Sequence, residues 1–194
     1  MIQQLHKNIV LFFLLIVTTV AYGQPANDNC SDAIPITLLD GTCQLFEYTG
    51  ATYDLVNGGC SSPAAPNIWF TFTAQGPVAT INRSPAGNKV LAAVLDLPNG
   101  CGNLTGATEL GCGGTINLNN LVPGTTYYIA VVVLLPPLDE IEICINNPVP
   151  PPNDDPCSAT NIAQNGCVDG TTVGATPDYL IPNCPANSSI YYSY

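Results

Sequence analysis

Apolar and polar residues alternate in short runs along most of the chain, which predicts β-strands. In the run IWFTF, the side chains of Ile68, Phe70 and Phe72 share one face, because successive strand residues point to opposite sides. Helical periodicity is nearly absent, and Gly, Pro, Asn and Thr occur throughout. The pattern predicts an all-β fold, a β-sandwich or jelly roll of roughly six to nine strands. Further strand-like runs occupy residues 78–82, 89–97, 115–119 and 140–146.

The run TTYYIAVVVLL, residues 125–135, is apolar on both faces. We therefore expect its strand to lie in the centre of a sheet. The overlapping stretch LVPGTTY, residues 121–127, resembles the tyrosine corner of Greek-key sandwiches, in which a phenol hydroxyl bonds to nearby backbone. Tyr127 is accordingly predicted to be structural.

Two parts of the chain carry the same short motifs in the same order, which two copies of one module explain best. The copies align Tyr191 with Trp69, so Trp69 is predicted to be a structural core residue rather than a binding platform. The matching pairs are NDNCSDA (27–33) with NDDPCSA (153–159), TGATYD (49–54) with VGATPD (173–178), and IWFTF (68–72) with IYYSY (190–194).

A Pro-rich stretch, NNPVPPPNDD at residues 146–155, separates the two copies and is expected to be stiff and extended. The second copy contains only the first three cysteines of the pattern, so we expect the chain to be a fragment of a longer protein. The predicted organisation is a signal peptide over 1–23, a complete β-sandwich module over 24–146, a linker over 147–152 and an incomplete second copy over 153–194.

The N-terminus has the features of a secretory signal peptide. One Lys precedes an apolar run at 9–17, and Ala21-Tyr22-Gly23 supplies the small-residue pattern expected before a cut at Gln24. A transmembrane anchor is the alternative, but the run is short for a bilayer span of about 20 residues. Later apolar runs have the length of buried strands, so no other membrane span is expected.

Removal of this segment leaves Arg83 and Lys89 as the only basic residues, against all 14 acidic ones. The net charge becomes 2 − 14 = −12. Such a surface repels nucleic acid and anionic lipid, and is compatible with a secreted or cell-surface location. The only histidine, His6, is lost as well.

All nine cysteines follow the signal segment, which indicates an oxidising compartment and disulfide bonds. Zinc is the competing interpretation, but no Cys-x-x-Cys pair and no histidine remain to bind it. The candidates for disulfide bonding are Cys30, Cys43, Cys60, Cys101, Cys112, Cys144, Cys157, Cys167 and Cys184.

Six cysteines in the first module allow many connectivities, and three pairs are favoured here. Cys101 and Cys112 flank a compact loop and are expected to pair. Cys30 and Cys43 are expected to pair because their counterparts, Cys157 and Cys167, are both present in the short second copy. The remaining pair is Cys60 with Cys144, which leaves Cys184 as the counterpart without a partner.

The ordered set PANDNCSDAI, TGAT, IWFTFTA, AVLDLPNGCGNL, LVPGTTYYIAV and EIEICI resembles the cysteine-bearing repeat modules of large secreted proteins of Gram-negative bacteria with type IX secretion. These modules are similar to pre-peptidase C-terminal domains, which are β-sandwiches. The resemblance covers almost the whole chain after the signal segment. It implies a non-catalytic extracellular module, often in tandem, that accompanies a protease, an adhesin or another large surface protein.

A catalytic site is not expected. A Ser or Cys nucleophile of the usual kind needs a base such as His, and none remains. A carboxylate pair could hydrolyse a glycoside, and Glu140 and Glu142 share a strand face while Asp96 ends another strand. A solvated outer face explains these acidic residues more simply.

Two kinds of binding stay open. Calcium, the one cofactor considered, prefers six to eight hard oxygen ligands, although Asn-Asp pairs also form turns. Carbohydrate would be bound by exposed aromatic rings in loops. The candidate calcium ligands are Asn27, Asp28, Asp54, Asn153 and Asp154, and the candidate ligand-binding aromatics are Tyr48, Tyr53 and Tyr179.

The function expected from the sequence is non-enzymatic. We expect an extracellular interaction, adhesion or spacer module of a larger secreted cell-surface protein, with a polysaccharide or a protein as its partner. The alternative is a carbohydrate- or protein-targeting module that accompanies a secreted hydrolase whose catalytic domain lies outside this chain.

Overall fold

A computed structural model of the chain describes residues 23–53, 65–84, 90–134, 139–176 and 190–193. The predicted signal peptide lies almost entirely outside the described residues. Four of the candidate site residues lie outside them as well: Asp54, Cys60, Tyr179 and Cys184.

The described residues form eleven β-strands and three short 3₁₀ helices, which confirms the all-β class. The 3₁₀ helices are Cys30–Asp32, Gly100–Gly106 and Pro156–Ser158. The strands are β1 (Ile34–Pro35), β2 (Asp40–Glu47), β3 (Asn67–Thr73), β4 (Ala79–Ser84), β5 (Val90–Asp96), β6 (Thr108–Gly113), β7 (Thr115–Leu118), β8 (Thr126–Val133), β9 (Glu140–Asn146), β10 (Thr160–Asn161) and β11 (Tyr192–Ser193).

Most strands belong to two sheets. One has the order β1-β3-β8-β5-β6 and the other has the order β2-β9-β4-β7. The predicted central strand, β8, lies in the middle of the five-stranded sheet, antiparallel to β3 and to β5. Its residues Ile129 to Val133 are all buried, as expected for a strand with apolar residues on both faces.

One hydrophobic cluster contains side chains from both sheets. Phe70 and Ile129 contribute from the five-stranded sheet, and Ile81 and Ile143 contribute from the four-stranded sheet. The ring of Phe46 in β2 packs on that of Phe70, with centroids 4.5 Å apart. The alternation of apolar residues in β4, β7 and β9 places their buried side chains in this cluster.

The opposite face of the five-stranded sheet holds a second cluster around Trp69, whose side chain is fully buried. Cys30 and Cys101 also belong to this cluster or pack against it, and a disulfide joins them. Since each cysteine lies in a 3₁₀ helix, the bond ties together the two helices that cover this face. Trp69 is therefore a core residue.

The predicted disulfide pairs are wrong. Cys30 pairs with Cys101 and Cys43 pairs with Cys144, and Cys112 is disulfide-bonded as well. These bonds exclude Cys30–Cys43, Cys101–Cys112 and Cys60–Cys144. The Cys43–Cys144 bond is determined by strand pairing and not by closeness in sequence, since the two residues lie opposite each other on β2 and β9 with Cα atoms 4.0 Å apart.

Cys157 and Cys167 are exposed and free. The expectation that they pair with each other, in parallel with Cys30 and Cys43, is therefore wrong too. Their segment contains only the short parallel pair β10–β11 among the described strands.

The start of the Pro-rich stretch is anchored and not free. Asn147 is fully buried, and its backbone N–H donates to the carbonyl of Leu39 at 2.8 Å. Its side-chain nitrogen donates to the carbonyls of Gly76 and Val78 at 3.0 and 2.6 Å. A Cβ added to Gly76 would lie only 2.2 Å from the carbonyl oxygen of Pro148. The proline stretch therefore leaves the sheet in close contact with the turn at Gly76.

Candidate functional site

Asn27 and Asp28, two candidate calcium ligands, hold the segment that precedes β1 against β3 and the loop at Thr52. The Asn27 side-chain nitrogen donates to the carbonyl of Trp69, and the Trp69 N–H donates to the carbonyl of Asn27, both at 2.8 Å. The Thr52 N–H and hydroxyl donate to the two Asp28 carboxylate oxygens at 2.5 and 2.6 Å. We call these four residues the first clasp.

Local sequence explains the turn that presents Asn27 and Asp28 to their partners. The Asp28 N–H donates to the carbonyl of Pro25 at 3.1 Å, which closes a turn that buries both side chains to 2 % exposure. Asn and Asp have short polar side chains that readily bond to nearby backbone groups. Buried polar atoms need such partners, and here the partners are Thr52 and β3.

The same bonds occur among Asn153, Asp154, Thr176 and Tyr191, which we call the second clasp. The Asn153 side-chain nitrogen donates to the Tyr191 carbonyl at 2.9 Å, and the Tyr191 N–H donates to the Asn153 carbonyl at 2.8 Å. The Thr176 N–H and hydroxyl donate to the two Asp154 oxygens at 2.7 and 2.9 Å. Each bond joins the same atom types as in the first clasp.

The clasps give Asp28 and Asp154 a structural task. In each clasp both carboxylate oxygens accept hydrogen bonds from one threonine. Within the described ranges, no group of three acidic, Cys or His residues is placed to hold a metal ion. A calcium site stays a prediction, since Asp54 lies outside those ranges.

Tyr48 is not placed to stack on a ligand. Its side chain is only 4 % exposed, and its hydroxyl donates to the Pro66 carbonyl while accepting from the Val133 N–H at 3.3 Å. Burial raises the pKa of this hydroxyl well above its ordinary value near 10.0. Tyr48 differs from the prediction of a ligand-binding aromatic because a tyrosine can be buried wherever its hydroxyl finds hydrogen-bond partners.

Tyr53 and Tyr127 have opposite surroundings. Tyr53, which follows the clasp residue Thr52, is 40 % exposed and presents its ring to solvent. Tyr127 is buried, and its hydroxyl accepts a hydrogen bond from the Val122 N–H at 2.9 Å, as in a tyrosine corner. Tyr127 holds the β7–β8 connection, whereas Tyr53 is partly exposed to solvent.

The acidic residues considered for catalysis are divided between the sheets. Glu140 and Glu142 lie on β9, and Glu140 is directly opposite Glu47 of β2. Asp96 lies on β5 in the five-stranded sheet, opposite Thr108. The structure thus places Asp96 in a different sheet from the two glutamates.

A polar face on the four-stranded sheet was missed by the sequence analysis. The Thr80 hydroxyl donates to the Asn117 side-chain oxygen at 3.1 Å, and the Thr115 hydroxyl donates to that of Asn82 at 2.8 Å. These four residues, which we call the Thr/Asn face, lie on adjacent strands β4 and β7. The signal was present in the alternation of ATIN and TINL, whose polar positions share one face.

The Thr/Asn face borders a pocket of about 180 Å³ that Thr80 and Asn117 line together with Asn146 and Pro148. Hydroxyl and amide groups of this kind can bond to neutral polar ligands such as sugars.

Comparisons with protein-family models, with curated proteins and with solved structures found no match for this chain. Among the residues that the structure describes, no helix is long and apolar enough to cross a membrane.

Proposed function

We propose that this chain is built from two copies of one β-sandwich module and acts as a non-catalytic extracellular interaction, adhesion or spacer unit. The observation that carries the proposal is the recurrence of the clasp. Chance would rarely give two Asn-Asp pairs that each bond to a threonine and to a strand backbone through the same atoms.

A sandwich is favoured by the shared core. Side chains from the inward faces of both sheets meet in one cluster, as they do when two sheets pack face to face. The disulfide Cys43–Cys144 cross-links two strands of one sheet, and Cys30–Cys101 fastens the helices that cover the other. Such bonds suit an oxidising, extracellular location.

An interaction role is favoured over a catalytic one by the use of the polar residues. The buried carboxylate of Asp28 and the buried hydroxyls of Tyr48 and Tyr127 all serve hydrogen bonds that hold the fold. The sequence offers no His after residue 24 to act as a base.

A carbohydrate-targeting function is the second candidate. It is favoured by the exposure of Tyr53 and, at a separate place in the fold, by the Thr/Asn face with its pocket, since aromatic stacking and hydrogen bonds each contribute to sugar binding. Neither feature needs a catalytic residue in order to bind a sugar.

A glycan array probed with the chain, with and without calcium, separates the two candidates. The spacer or adhesion role predicts no saturable binding to the arrayed sugars. Calcium-independent binding that Tyr53→Ala or Asn117→Ala abolishes would establish the targeting role instead. Tyr192→Ala is the matched control, because Tyr192 is 37 % exposed but lies far along the chain in β11.

A further inference from the structure

The Pro-rich stretch between the two copies is held at its start by the first copy. The side-chain amide of Asn147 is used at both ends, since its nitrogen donates to two carbonyls of the turn at Gly76 and its oxygen accepts from the Gln75 N–H at 2.5 Å. A Cβ added to Gly76 would lie 2.2 Å from the carbonyl oxygen of Pro148 and 3.1 Å from the ring of Pro150. The stretch therefore runs along this turn before it reaches the second copy.

The same residues lie against a loop of the second copy. Gly174 in this loop has a φ of +80°, and a Cβ added to it would lie 2.7 Å from the Val149 carbonyl oxygen and 3.1 Å from the Cβ of Pro148. Only glycine allows the backbone of the loop to approach the stretch so closely. Pro148 thus faces the first copy through its carbonyl group and the second copy through its ring.

A matching contact occurs in the first copy. Gly50 has a φ of +84°, and a Cβ added to it would lie 2.9 Å from the carbonyl oxygen of Gly23. Gly23 and Val149 occupy the same place, four residues before the asparagine of each clasp. In both copies the glycine opens a Gly-Ala-Thr loop (50–52 and 174–176) whose threonine belongs to the clasp. The contact is therefore a feature of both loops and does not depend on the prolines.

We propose that the Gly-Ala-Thr loop is a docking site for the extended segment that leads into its own copy. At the loop of the second copy the occupant is residues 148–150, and their docking fixes the described part of that copy in one orientation relative to the first. The inference rests on the proposed second copy and deepens the spacer role. A joint of this kind makes two neighbouring modules one stiff unit, whereas a free linker would let each module turn independently.

The composition of the segment suits it to such a joint. Proline occupies every position of residues 148–152 except Val149, and each proline ring fixes its own φ. The segment has few conformations to lose on docking, so the entropic cost is small. A single residue, Pro148, separates the buried Asn147 from the carbonyl group that meets Gly174. No length of free chain therefore remains between the two anchors.

Residual dipolar couplings and ¹⁵N relaxation of the full chain test the joint. The amide couplings of the described residues in 27–146 and in 153–176 should fit a single alignment tensor. The Val149 amide, the only one between residues 148 and 152, should have an order parameter of about 0.85, the value of rigid backbone. Separate tensors for the two ranges, or an order parameter below about 0.6 at Val149, would overturn the proposal.

Two substitutions should release the joint. In Gly174→Ala the new methyl group would meet the Val149 carbonyl, so the two ranges should need separate tensors and the Val149 order parameter should fall below about 0.6. Pro148→Gly should act in the same direction, because it removes the ring from Gly174 without straining the loop. The matched control is Gly124→Ala, since Gly124 has a φ of +84° but nothing within 4 Å of an added Cβ. The control should keep the single tensor.

Amide exchange at Thr176 and Tyr191 shows whether the second clasp is intact in each variant. If the clasp is intact and a single tensor still fits both Gly174→Ala and Pro148→Gly, these contacts do not set the orientation and the proposal is overturned. If Gly174→Ala opens the clasp, Pro148→Gly alone decides. Failure of the joint would leave the two-copy proposal standing, and the glycan array tests sugar binding separately.

Discussion

The first clasp and the second clasp have the same bonds but very different surroundings. Around the first, Phe70 and Trp69 are fully buried and β2 pairs with β9 along most of its length. Around the second, Tyr192 is exposed, and residues 162–170, which the proposed alignment of the two copies matches with the region of β2, contain no strand. The difference teaches that the clasp bonds form even where little core surrounds them, whereas a strand such as β2 requires a partner strand and a core.

The largest expected difference between the two regions concerns aromatic packing. Phe70→Ala should lower the free energy of unfolding by about 3–5 kcal/mol, because it leaves a cavity between the sheets. Tyr192→Ala should change it by less than about 0.5 kcal/mol, since Tyr192 is partly exposed. Urea denaturation followed by Trp69 fluorescence measures both. Equal losses for the two variants would show that β11 is packed as β3 is.

The disulfides give the next largest effect. Replacing Cys43 and Cys144 together by alanine should cost about 2–5 kcal/mol, because the bond closes a loop with a sequence separation of 101 residues. Replacing Cys157 and Cys167 together by serine should leave the melting temperature unchanged, since both are free. Thermal melts followed by circular dichroism compare the two double variants. A loss of stability in the serine variant would mean that those thiols are bonded.

Substitutions in the clasps should have smaller effects on stability than the disulfide changes, because each clasp is held by hydrogen bonds alone. Asp28→Asn should lower the free energy of unfolding by about 1.5–3 kcal/mol. The amide NH₂ group of asparagine would face one of the two Thr52 donors and could not accept its hydrogen bond. Asp154→Asn should not alter global unfolding, and should instead open the Thr176 contact locally. Denaturation and amide exchange separate the two effects. A global loss of stability in both variants would contradict the comparison.

The smallest effect is a pH dependence in the first region that arises from Tyr48. Burial raises the pKa of Tyr48, so the unfolded chain releases this proton near pH 10 while the folded chain keeps it. The unfolded state then binds fewer protons, and stability should fall by about 0.8 kcal/mol between pH 8 and pH 10.5. The contribution is fully present below pH 10 and is lost as the pH rises further.

Tyr48→Phe is the control for this dependence, since phenylalanine carries no titrating hydroxyl. Urea denaturation at both pH values should show a smaller loss in the variant than in the parent. Both proteins should carry Cys157→Ser and Cys167→Ser to reduce thiol exchange at high pH. Identical losses in parent and variant would rule out Tyr48 as the source.

The elements predicted well are those that local sequence controls. The all-β class followed from alternation, the central position of β8 from its two apolar faces, and the role of Tyr127 from the turn that precedes it. Trp69 was predicted to be a core residue because the matching run IYYSY has Tyr191 at the same place inside an apolar strand pattern, and Trp69 is fully buried.

The errors concern contacts between residues far apart in sequence. Cys43 meets Cys144 because β2 and β9 are neighbours in the sheet, which neither local pattern nor spacing reveals. Tyr48 is buried because Pro66 and Val133 provide partners for its hydroxyl, and both lie on other elements. The Thr/Asn face is visible only after β4 and β7 are known to pair.

Amide hydrogen exchange at four matched positions tests most directly the claim that one local design occurs twice, once within a core and once without it. The Thr52, Trp69, Thr176 and Tyr191 N–H groups all donate in the clasps, so all four should exchange more slowly than in an unstructured chain. Thr52 and Trp69 should exchange only through global unfolding, and Thr176 and Tyr191 should exchange orders of magnitude faster through local opening. The claim would be contradicted if Thr176 and Tyr191 were unprotected, or if they exchanged as slowly as Thr52 and Trp69.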